Sequence, residues 1–399
     1  MKKIAIIGAG AAGCFCAAEL RRMVPEARID IYESGKKPLA KVAITGGGRC
    51  NLTNDFQGIT SLAEAYPRGE RLMRRALKEF DHNDTIEWFT RRGVPCTLQD
   101  DHCYFPVSQD AMDIVRTLLH GAKGADIHLS TRITAIRHES NYILTTQDGR
   151  TAEADIVVVT TGGSQKTNTI LDSLGIKQVP PVPSLFTFRI NDSVTSLMGT
   201  VVNANVALAG TTFRAEGPLL ITDWGMSGPA ILKLSSYAAR YLNDNAYGAT
   251  LLVNWAGSPE PSIREALEQH MTAQPQKQLR TTAPFSLPSR LWSHICARAT
   301  LREDLRWAEL GRKGLNRLAA TISSDQYQIN GRAAFRQEFV TAGGVPLTEI
   351  SPRTFESTKH QGLFFAGEIL DIDAVTGGFN LQAAWTTGHI VARSIASCK

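Results

Sequence analysis

Three glycines followed by a cation and a thiol stand out in the stretch KVAITGGGRCNLTN, residues 41–54. Gly46, Gly47 and Gly48 leave the backbone N–H groups bare, and Arg49 follows them directly. Glycine-rich backbone can form a concavity that binds anions, and a guanidinium adds charge-assisted hydrogen bonds to a phosphate. Lys41 could supply a second cation. The stretch therefore predicts a phosphate cradle, with a mobile glycine linker as the alternative.

Side chains that could take part in a reaction lie in two places. Cys50, with Asn51 beside it, could serve as a redox thiol, but no CxxxxC pair accompanies it. A packing or cofactor-contact role is therefore the alternative for this thiol. His102, Cys103 and Tyr104 lie in the segment QDDHCYFPVS, which could line a substrate pocket and offer a proton donor. The alternative for His102 is simple exposure to solvent.

The N-terminal segment has the pattern of a strand, a glycine turn and a helix. The apolar run KIAII predicts a buried parallel strand, and GAGAAG follows it directly. In such a turn Gly8 permits the tight bend, Gly10 lets the backbone approach a pyrophosphate, and Gly13 lets the helix lie close to the strand. The helix would begin near Ala11 and Ala12, where free N–H groups and the helix dipole favour phosphates.

A carboxylate follows at the distance that dinucleotide-binding folds require. The second strand pattern, IDIYE, ends in Glu33, 20 residues after Gly13. An acid at this position accepts hydrogen bonds from the ribose hydroxyls, and it would repel the 2′-phosphate of NADP. FAD and NAD remain as candidate ligands, and a glycine turn without a ligand is the alternative.

Two further strand patterns end in small or acidic residues. The run IVVV leads to Thr161, Gly162 and Gly163, and the run LFFA leads to Gly367 and Glu368. Short apolar runs of this kind are consistent with buried strands of the nucleotide-binding sheet. The second of them lies near the C-terminus, so the chain is expected to return to that sheet after a long excursion.

A second glycine turn leads into a C-terminal helix. Gly377, Gly378 and Phe379 precede a helical pattern that extends from about residue 383 to residue 397. A helix N-terminus at the pyrimidine edge of a flavin would stabilise the negative charge that develops there on reduction. NAD enzymes do not generally need such a C-terminal return, so these segments favour FAD.

Four stretches of the chain also occur together in one known family. They are KVAITGGGRCNLTN, TDWGMSGPAIL, VTAGGVPLTEI and GLFFAGEILDIDAVTGGFNLQAAWTTG. In these stretches, and over nearly the whole chain, the sequence resembles the BaiN/YhiN-type (HI0933-like) flavoproteins. The resemblance implies an α/β fold with a Rossmann-like FAD-binding domain of the two-dinucleotide-fold type. It also implies that residues 46–50 lie along FAD, that Ile133 offers backbone contacts to the adenine, and that Asp373 and Asn380 lie near the flavin.

The same resemblance implies that a β-rich domain and a small helical domain interrupt the FAD-binding domain. The stretch PPVP, residues 180–183, marks the first break, and alternating strand patterns follow it. The predicted domains are an FAD-binding domain over residues 1–184, a β-rich domain over 185–260, a helical domain over 261–335 and a C-terminal return of the FAD-binding domain over 336–399.

One segment of the helical region is basic. Between Lys277 and Arg317 there are nine Lys or Arg residues and only three acids. A basic surface of this kind could contact the phosphate backbone of ribosomal RNA. The alternative is an ordinary solvated helical face.

The composition indicates a globular protein. The 399 residues are 43% hydrophobic and 20% charged, with a formal net charge of +5. No apolar run approaches the roughly 18 residues that span a bilayer, so we expect no membrane segment. Seven scattered cysteines without zinc-like spacing predict reduced thiols, no metal site and a cytoplasmic location.

The resemblance implies an FAD-dependent oxidoreductase that reduces a carbon–carbon double bond conjugated with a carbonyl group. The acceptor would be a steroid-like enone or a uracil base in ribosomal RNA, giving dihydrouridine. Because no second GxGxxG fingerprint is present, we expect a small-molecule electron donor, NADH or NADPH, to dock directly against the flavin. A flavin oxidase that uses oxygen and a non-catalytic FAD-containing protein that binds RNA or a partner are the alternatives. The sequence leaves the oligomeric state open.

Overall fold

The computed structural model describes residues 1–163, 168–333 and 340–398. The chain forms two compact units, the first made of Met1–Val182 and Val340–Lys399 and the second of Pro183–Phe339. The second unit is therefore inserted into the sequence of the first. No helix within the described ranges is long and apolar enough to cross a lipid bilayer.

The first unit contains helices and short strands, and longer strands dominate the first part of the second unit. The strands are β1 (Lys3–Ile7), β2 (Arg28–Tyr32), β3 (Thr53–Asn54), β4 (Cys96–Leu98), β5 (Cys103–Pro106), β6 (Asp126–His128), β7 (Ile133–His138), β8 (Tyr142–Thr146), β9 (Thr151–Ala154), β10 (Ile156–Val159), β11 (Val179–Ser184), β12 (Phe188–Ile190), β13 (Val201–Leu208), β14 (Arg214–Thr222), β15 (Gly225–Ser227), β16 (Gly248–Asn254), β17 (Asp325–Arg332), β18 (Val340–Gly344) and β19 (Leu363–Phe365). The helices are α1 (Ala11–Met23), α2 (Thr45–Gly48), α3 (Leu62–Ala65), α4 (Glu70–Ala76), α5 (His82–Thr90), α6 (Ala111–Gly121), α7 (Asn168–Asp172), α8 (Pro229–Tyr237), α9 (Ala239–Asp244), α10 (Glu260–Ala273), α11 (Ser289–Arg298), α12 (Gly311–Ser323) and α13 (Phe379–Ser397).

A five-stranded parallel sheet organises the first unit, with the strand order β19-β10-β1-β2-β6. Its central strands are continuous apolar runs, as expected for parallel strands that are covered on both faces. Ile7 at the end of β1 pairs with Tyr32 on one side and with Val159 on the other. The segments that follow these strands therefore leave the sheet at one edge, where doubly wound folds bind their ligands. The predicted Rossmann-like α/β sheet is confirmed.

Smaller sheets extend the first unit. Strands β3, β5 and β4 form one antiparallel sheet, and β7, β8 and β9 form another. β11 pairs with β18, which starts the C-terminal part of this unit. The C-terminal helix α13 begins at Phe379, four residues before the predicted start, because the left-handed Gly378 (φ +86°) already serves as its N-cap.

A buried carboxylate on α1 links three helices of the first unit. Glu19 is only 1% exposed, and it accepts hydrogen bonds from Trp88 Nε1 on α5 (2.8 Å) and from Arg22 (2.9 Å). His389 Nδ1 on α13 lies 2.8 Å from the same carboxylate. Burial by itself raises the pKa of Glu19, but the hydrogen bonds with His389, Arg22 and Trp88 outweigh it and lower the pKa to about 2.

This cluster predicts a defined loss of stability in acid. The pKa of Glu19 in the folded protein lies below its ordinary value of 4.5, so its contribution is fully present above pH 4.5 and is lost as the pH falls toward 2. We expect Glu19→Gln to lower the free energy of unfolding by about 2–3 kcal/mol at pH 7. Urea unfolding at a series of pH values should show this difference shrinking below pH 4.5.

The matched control is Glu79→Gln, because Glu79 pairs with Arg393 of α13 at the surface, where its side chain is 45% exposed. That variant should change the free energy of unfolding by less than about 1 kcal/mol. A difference between wild type and Glu19→Gln that stayed constant down to pH 2 would contradict the assignment.

The second unit is a closed six-stranded barrel with the strand order β12-β15-β14-β13-β16-β17. Alternate residues of β13 and β16 point inward, among them Val206, Leu251 and Val253. The helices that follow in the sequence pack into the same hydrophobic core, for example through Leu267 and Leu318. Strand β17 follows α12 and closes the barrel, so the barrel and the helices share one core.

Candidate functional site

The turn between β1 and α1 is crowded on one side and open on the other. A Cβ on Gly8, whose φ is +111°, would lie 2.6 Å from the carbonyl oxygen of Thr160, and a Cβ on Gly13 would lie 2.0 Å from the carbonyl oxygen of Gly8. At Gly10, the N-cap of α1, a Cβ would meet nothing within 4 Å. The first helical turn, starting at Ala11, has no acidic residue and no side-chain cap. Its N–H groups therefore suit an anionic phosphate.

The carboxylate at the end of β2 is fixed by backbone groups. Glu33 Oε2 accepts a hydrogen bond from the N–H of Ala9 (2.9 Å), and Oε1 accepts one from the N–H of Gly35 (2.6 Å). The carbonyl of Glu33 accepts from the N–H of Thr131 (2.8 Å), which brings the chain just before Ile133 to the same end of the sheet. Glu33 is half-buried. Its Oε1 also accepts a hydrogen bond from the Ser34 hydroxyl (3.4 Å), so Oε2 is the oxygen that keeps a lone pair for a ribose hydroxyl.

The three consecutive glycines of the KVAITGGGRCNLTN stretch form a left-handed turn. Gly46, Gly47 and Gly48 have φ of +58°, +69° and +84°, a conformation that strains other residues. A Cβ on Gly47 or Gly48 would meet nothing within 4 Å, whereas one on Gly46 would lie 2.9 Å from the backbone nitrogen of Asn51. The turn is therefore packed at its start and open at its end. Backbone in such a conformation can present its N–H groups to an anion.

Two cations lie next to this turn. The Arg49 guanidinium lies 4.4 Å from the centre of the Phe105 ring, and its Nε donates to the carbonyl of Gly46 (3.2 Å). Arg49 is exposed and has no carboxylate partner within the described ranges. Lys41 Nζ lies 3.7 Å from Glu368 Oε2, so its charge is already shared. Arg49 is therefore the cation better placed to bind a phosphate or an electron-rich flavin edge.

The ends of β10 and β19 meet at the same edge of the sheet. A Cβ on Gly162 would lie 3.3 Å from Glu368 Oε2, and one on Gly163 would lie 2.3 Å from the Cβ of Thr341. Glu368 Oε1 accepts a hydrogen bond from the N–H of Thr341 (2.7 Å), and burial raises the pKa of Glu368. The hydroxyl of Thr161 is buried without a hydrogen-bond partner in the described part of the chain. An unsatisfied hydroxyl at a strand end is a polar group that a bound cofactor can satisfy.

Further glycines bring α1, α13 and the glycine-rich turn close together. A Cβ on Gly367 would lie 2.8 Å from the Cβ of Ala12, and one on Gly378 would lie 2.6 Å from Asn51 Oδ1. Gly377 has φ of +127°. Asn51 Oδ1 is itself buried and lacks a hydrogen-bond partner among the described residues. It is the second orphaned polar atom of this region.

The loop before α13 is held by residues that the sequence did not single out. Arg68 forms a bidentate ion pair with Asp373, whose side chain is completely buried. The Tyr66 hydroxyl donates to the carbonyl of Phe379, the first residue of α13 (2.8 Å). The carboxylate of Asp373, implied to lie near the flavin, is therefore engaged by Arg68.

Asn380 has a similar bracing role. Its Nδ2 donates to the carbonyl of Ala374 (2.9 Å), and its Oδ1 accepts from the N–H of the same residue (2.9 Å). This reciprocal pair fixes the loop onto the first turn of α13. The side-chain amide of Asn380 is thus occupied by the backbone of its own loop.

Two of the predicted catalytic residues are cysteines, and both are more deeply buried than a reactive thiol. Cys50 is fully buried, and burial raises its pKa to about 12. Cys103 is 3% exposed, and burial raises its pKa to about 11. Nucleophilic cysteines are partly exposed and have a lowered pKa. The structure therefore favours the packing role that the sequence left open for Cys50, and a similar role for Cys103.

We expect thiol labelling of the native protein to follow this burial. Cys398 is exposed and Cys96 is half-buried, while Cys14, Cys16, Cys50, Cys103 and Cys296 are buried. At neutral pH, iodoacetamide should modify Cys398 at least about a hundredfold faster than Cys50, because modification requires an accessible thiolate. Peptide mass spectrometry at timed intervals measures both rates, and Cys398→Ser should remove the fast phase. Rapid modification of Cys50 would contradict its assignment as a packing residue.

The two other predicted catalytic residues lie on or beside β5. Tyr104 is half-buried and pairs with Thr53 of β3 across the antiparallel ladder. His102 precedes β5, and its Nδ1 lies 3.1 Å from Asp55 Oδ2, just beyond β3. The structure therefore brings Cys103, Tyr104 and His102 next to the segment that follows Asn51.

Other residues of this region lack any local sequence signal. Gln382 on α13 is fully buried, and its Oε1 accepts hydrogen bonds from Thr53 (2.5 Å) and Thr85 (2.9 Å). Arg68 and Asp373 are 305 positions apart in the sequence. Only spatial proximity reveals these partners. Asp55 is the exception, because it directly follows the NLTN stretch and its position in the sequence therefore indicates that it lies near the site.

Carboxylates compensate part of the positive charge of the basic segment in the second unit. Three of its nine cations form ion pairs with carboxylates: Arg280 with Glu303 (2.7 Å), Arg298 with Asp325 (2.6 Å) and Arg302 with Glu309 (3.6 Å). By contrast, Lys277, Arg312 and Lys313 are exposed and have no carboxylate partner within the described ranges. Arg290, Arg306 and Arg317 are also exposed and have no carboxylate partner for their side chains among the described residues, so the uncompensated charge extends from the residues before α11 to α12.

The parallel sheet, its glycine turns and the C-terminal return of the chain define a Rossmann-type FAD-binding fold. Two solved structures share it: a 3-ketosteroid Δ1-dehydrogenase from Sterolibacterium denitrificans (TM-score 0.51, 12% identity, covering 100% of both chains) and a quinol-fumarate reductase with menaquinol (TM-score 0.50, 13% identity, covering 99% of this chain and 71% of that chain). At these identities the likeness concerns the fold alone.

The chain belongs to the HI0933-like family of flavoprotein oxidoreductases, because the HI0933-like protein Rossmann domain matches residues 2–394. A relative named ribosomal RNA dihydrouridine synthase, from Escherichia coli (strain K12), is 28% identical and covers 99% of this chain and 98% of its own length. A relative named 3-dehydro-bile acid Δ(4,6)-reductase, from Clostridium scindens, is 28% identical and covers 99% of both chains. The family resemblance predicted from the four stretches is confirmed.

Proposed function

We propose that the protein is an FAD-dependent reductase that adds hydride to a carbon–carbon double bond conjugated with a carbonyl group. The observation that carries this proposal is the meeting of three glycine-containing turns at one edge of the parallel sheet, after β1, β10 and β19. Gly10 of the first turn leaves open space beside the N-terminus of α1. A turn that is packed against the protein at Gly8 and Gly13 and open at Gly10 suits the diphosphate of a dinucleotide.

The residues of the site fit FAD at each of its parts. Glu33 would hold the adenosine ribose, and the backbone near Ile133 would lie beside the adenine. The N-terminus of α1 and the Gly46–Gly48 turn would hold the diphosphate, with Arg49 as the counter-charge. The orphaned Thr161 hydroxyl and Asn51 Oδ1 would gain partners.

When bound, FAD accepts a hydride from a donor and passes it to an acceptor. The protein's own contribution is position and electrostatics. The N-terminus of α13, capped by Gly378 without a side-chain hydrogen bond, would offer a partial positive charge to the negative charge of the reduced cofactor. Tyr66 and Arg68 hold that N-terminus in place through Phe379 and Asp373.

The names of the two relatives support one reaction class. Dihydrouridine differs from uridine by the loss of a double bond conjugated with a carbonyl, and a Δ(4,6)-reductase acts on double bonds of a steroid-like acid. Both reactions place hydride on a carbon conjugated with a carbonyl group. We propose the same class for this chain, with NADH or NADPH as the donor.

Ribosomal RNA is kept as one of the two proposed acceptors because of the basic segment. Lys277, Arg312 and Lys313 remain without carboxylate partners within the described ranges, and α12 (Gly311–Ser323) contains no acidic residue. Exposed cations of this kind bind a phosphate backbone in a salt-dependent way. A small enone needs no such surface.

The test uses the FAD-loaded protein under anaerobic conditions. Addition of NADH or NADPH should bleach the flavin spectrum, and progesterone, a conjugated enone, or ribosomal RNA from a strain lacking this gene should restore it. Restoration by oxygen alone would support an oxidase instead. If neither NADH nor NADPH bleaches the flavin, the result would support a non-catalytic role for bound FAD.

A further inference from the structure

A carboxylate–imidazole pair lies next to β3 and β5, and none of the FAD contacts proposed above involves it. His102 Nδ1 lies 3.1 Å from Asp55 Oδ2, and the side chain of Asp55 is only 6% exposed while that of His102 is 44% exposed. The N–H of Gln57 donates to Asp55 Oδ1 (2.9 Å), which fixes the carboxylate. Burial raises the pKa of Asp55, but the Gln57 N–H and His102 outweigh it, so the carboxyl stays ionised.

The backbone around this pair is shaped for it. His102 has φ of +64°, a left-handed conformation that is uncommon and strained for a histidine. A Cβ on Gly58 would lie 2.7 Å from Cδ2 of the His102 ring, so only glycine leaves room for the imidazole. The N–H of Asp55 also donates to the carbonyl of His102 (3.1 Å). Strain that the surroundings maintain at an exposed polar residue points to a function for that residue.

The pair is also joined to the turn that caps α13. Asn54, next to Asp55, donates from Nδ2 to the carbonyl of Gly377 (3.0 Å). A Cβ on the following residue, Gly378, would lie 2.6 Å from the carbonyl oxygen of Thr53. Strand β3, which directly precedes Asp55, is therefore packed against the turn proposed to face the flavin.

We propose that His102, oriented by Asp55, is the proton donor of the reduction. This assignment rests on the proposed function. Nδ1 of His102 faces Asp55, so the opposite nitrogen, Nε2, is the one available to the substrate. The buried carboxylate fixes the orientation of the ring, and a positioned histidine is the side chain most often used in general acid catalysis.

The step balances as a conjugate addition. The hydride, with NAD(P)H as the two-electron reductant, would form a C–H bond at the β-carbon, and the electron pair of the double bond would move toward the carbonyl oxygen. The Nε2–H bond of His102 then breaks as its proton forms a C–H bond at the α-carbon. Solvent returns a proton to His102, and the donor leaves oxidised by two electrons.

Two other charged groups lie near the pair of Asp55 and His102. Asp101 lies next to His102 in the sequence on the 99–102 turn, and His82 at the start of α5 also acts on Asp55 through its charge. Neither forms a hydrogen bond with the His102 ring within the described ranges. Asp55 is the group whose removal changes the behaviour of His102 directly.

The test separates the two half-reactions by anaerobic stopped flow. In His102→Asn, reduction of the flavin by the preferred nicotinamide donor should stay within about twofold of wild type, and reoxidation by the acceptor established for wild type should slow by about a hundredfold or more. Asp55→Asn should slow reoxidation by about tenfold.

His128→Asn is the matched control. His128 Nε2 lies 2.8 Å from Asp30 Oδ1, and its side chain is 39% exposed, so it is a similar pair on β6 and β2. Both half-reactions should be unchanged in this variant. Wild-type reoxidation in His102→Asn, or an equal loss in both half-reactions, would overturn the role of His102 while leaving the proposed function in place. Wild-type protein that no enone or uracil acceptor reoxidises would instead overturn the proposed function and the proton donor with it.

Discussion

The Gly10→Ala variant is expected to fold normally and to lose tight binding of FAD. Gly10 has φ of −86° and ψ of −166°, which alanine adopts without strain, and a Cβ there meets no protein atom within 4 Å. The space that the methyl group would fill is the one where the backbone must approach the diphosphate. We expect affinity for FAD to fall at least tenfold, which corresponds to about 1.4 kcal/mol. The thermal midpoint of the FAD-free protein should not change.

Gly13→Ala is the matched comparison, because its Cβ would lie 2.0 Å from the carbonyl oxygen of Gly8 and 2.6 Å from Thr160 Oγ1. That clash involves the protein itself, so both the stability of the FAD-free protein and FAD binding should suffer. Fluorescence titration and thermal unfolding measure the two properties separately. If Gly10→Ala bound FAD like wild type, the diphosphate would have to lie elsewhere.

The Arg68→Met variant is expected to lose about 3–5 kcal/mol of folding free energy. Asp373 is 0% exposed and Arg68 is 17% exposed, so removing the guanidinium leaves a buried carboxylate without its ion-pair partner. The loop between Ile372 and Phe379 would then keep only its other contacts with the 65–68 segment, among them the hydrogen bond from Tyr66 to Phe379. Urea unfolding of the FAD-free protein measures the effect.

Two further variants make this measurement specific. Arg68→Met combined with Asp373→Leu removes both charges and should recover much of the loss, because an apolar pair of similar volume can replace a buried ion pair. Arg74→Met breaks an ion pair with Glu70 on the surface of α4, where the Arg74 side chain is 65% exposed, and should cost less than about 1 kcal/mol. If Arg68→Met were as mild as Arg74→Met, the buried pair would not be the anchor of the loop.

The local parts of the fold could be predicted from the sequence because their signals are local. KIAII followed by GAGAAG contains a strand, a turn and a helix start within a few residues, and the structure places each of them as predicted. The acid at Glu33 has a fixed distance from this turn because one helix and one strand separate them. The start of α13 was predicted less closely, because the helix begins at Phe379, directly after Gly378, and not near residue 383.

The contacts that stabilise the site could not be predicted in this way. The ion pair of Arg68 with Asp373 and the hydrogen bond from Tyr66 to Phe379 each join residues about three hundred positions apart, and no periodicity or spacing rule relates them. Asp373 and Asn380 were placed near the flavin by resemblance alone, and the structure engages both side chains within the protein. The reason is physical: a loop that presents bare glycine backbone needs side chains elsewhere to fix it.

The cysteines show how the environment decides chemistry that residue type leaves open. Cys50 directly follows a glycine-rich turn and an arginine, which in sequence resembles a reactive position. In the structure it points into the core with a raised pKa, whereas the side chain of His102, paired with Asp55, is 44% exposed. The difference between Cys50 and His102 is their burial, which the sequence does not reveal for a single residue.

The central claim is that the glycine turns at one edge of the parallel sheet bind FAD. Its most direct test is a titration of the purified, FAD-free protein with FAD, followed by absorbance and by quenching of flavin fluorescence. The account predicts saturable binding of one FAD per chain, with an affinity that Gly10→Ala weakens at least tenfold. A colourless protein that fails to bind added FAD at any concentration tested would contradict it.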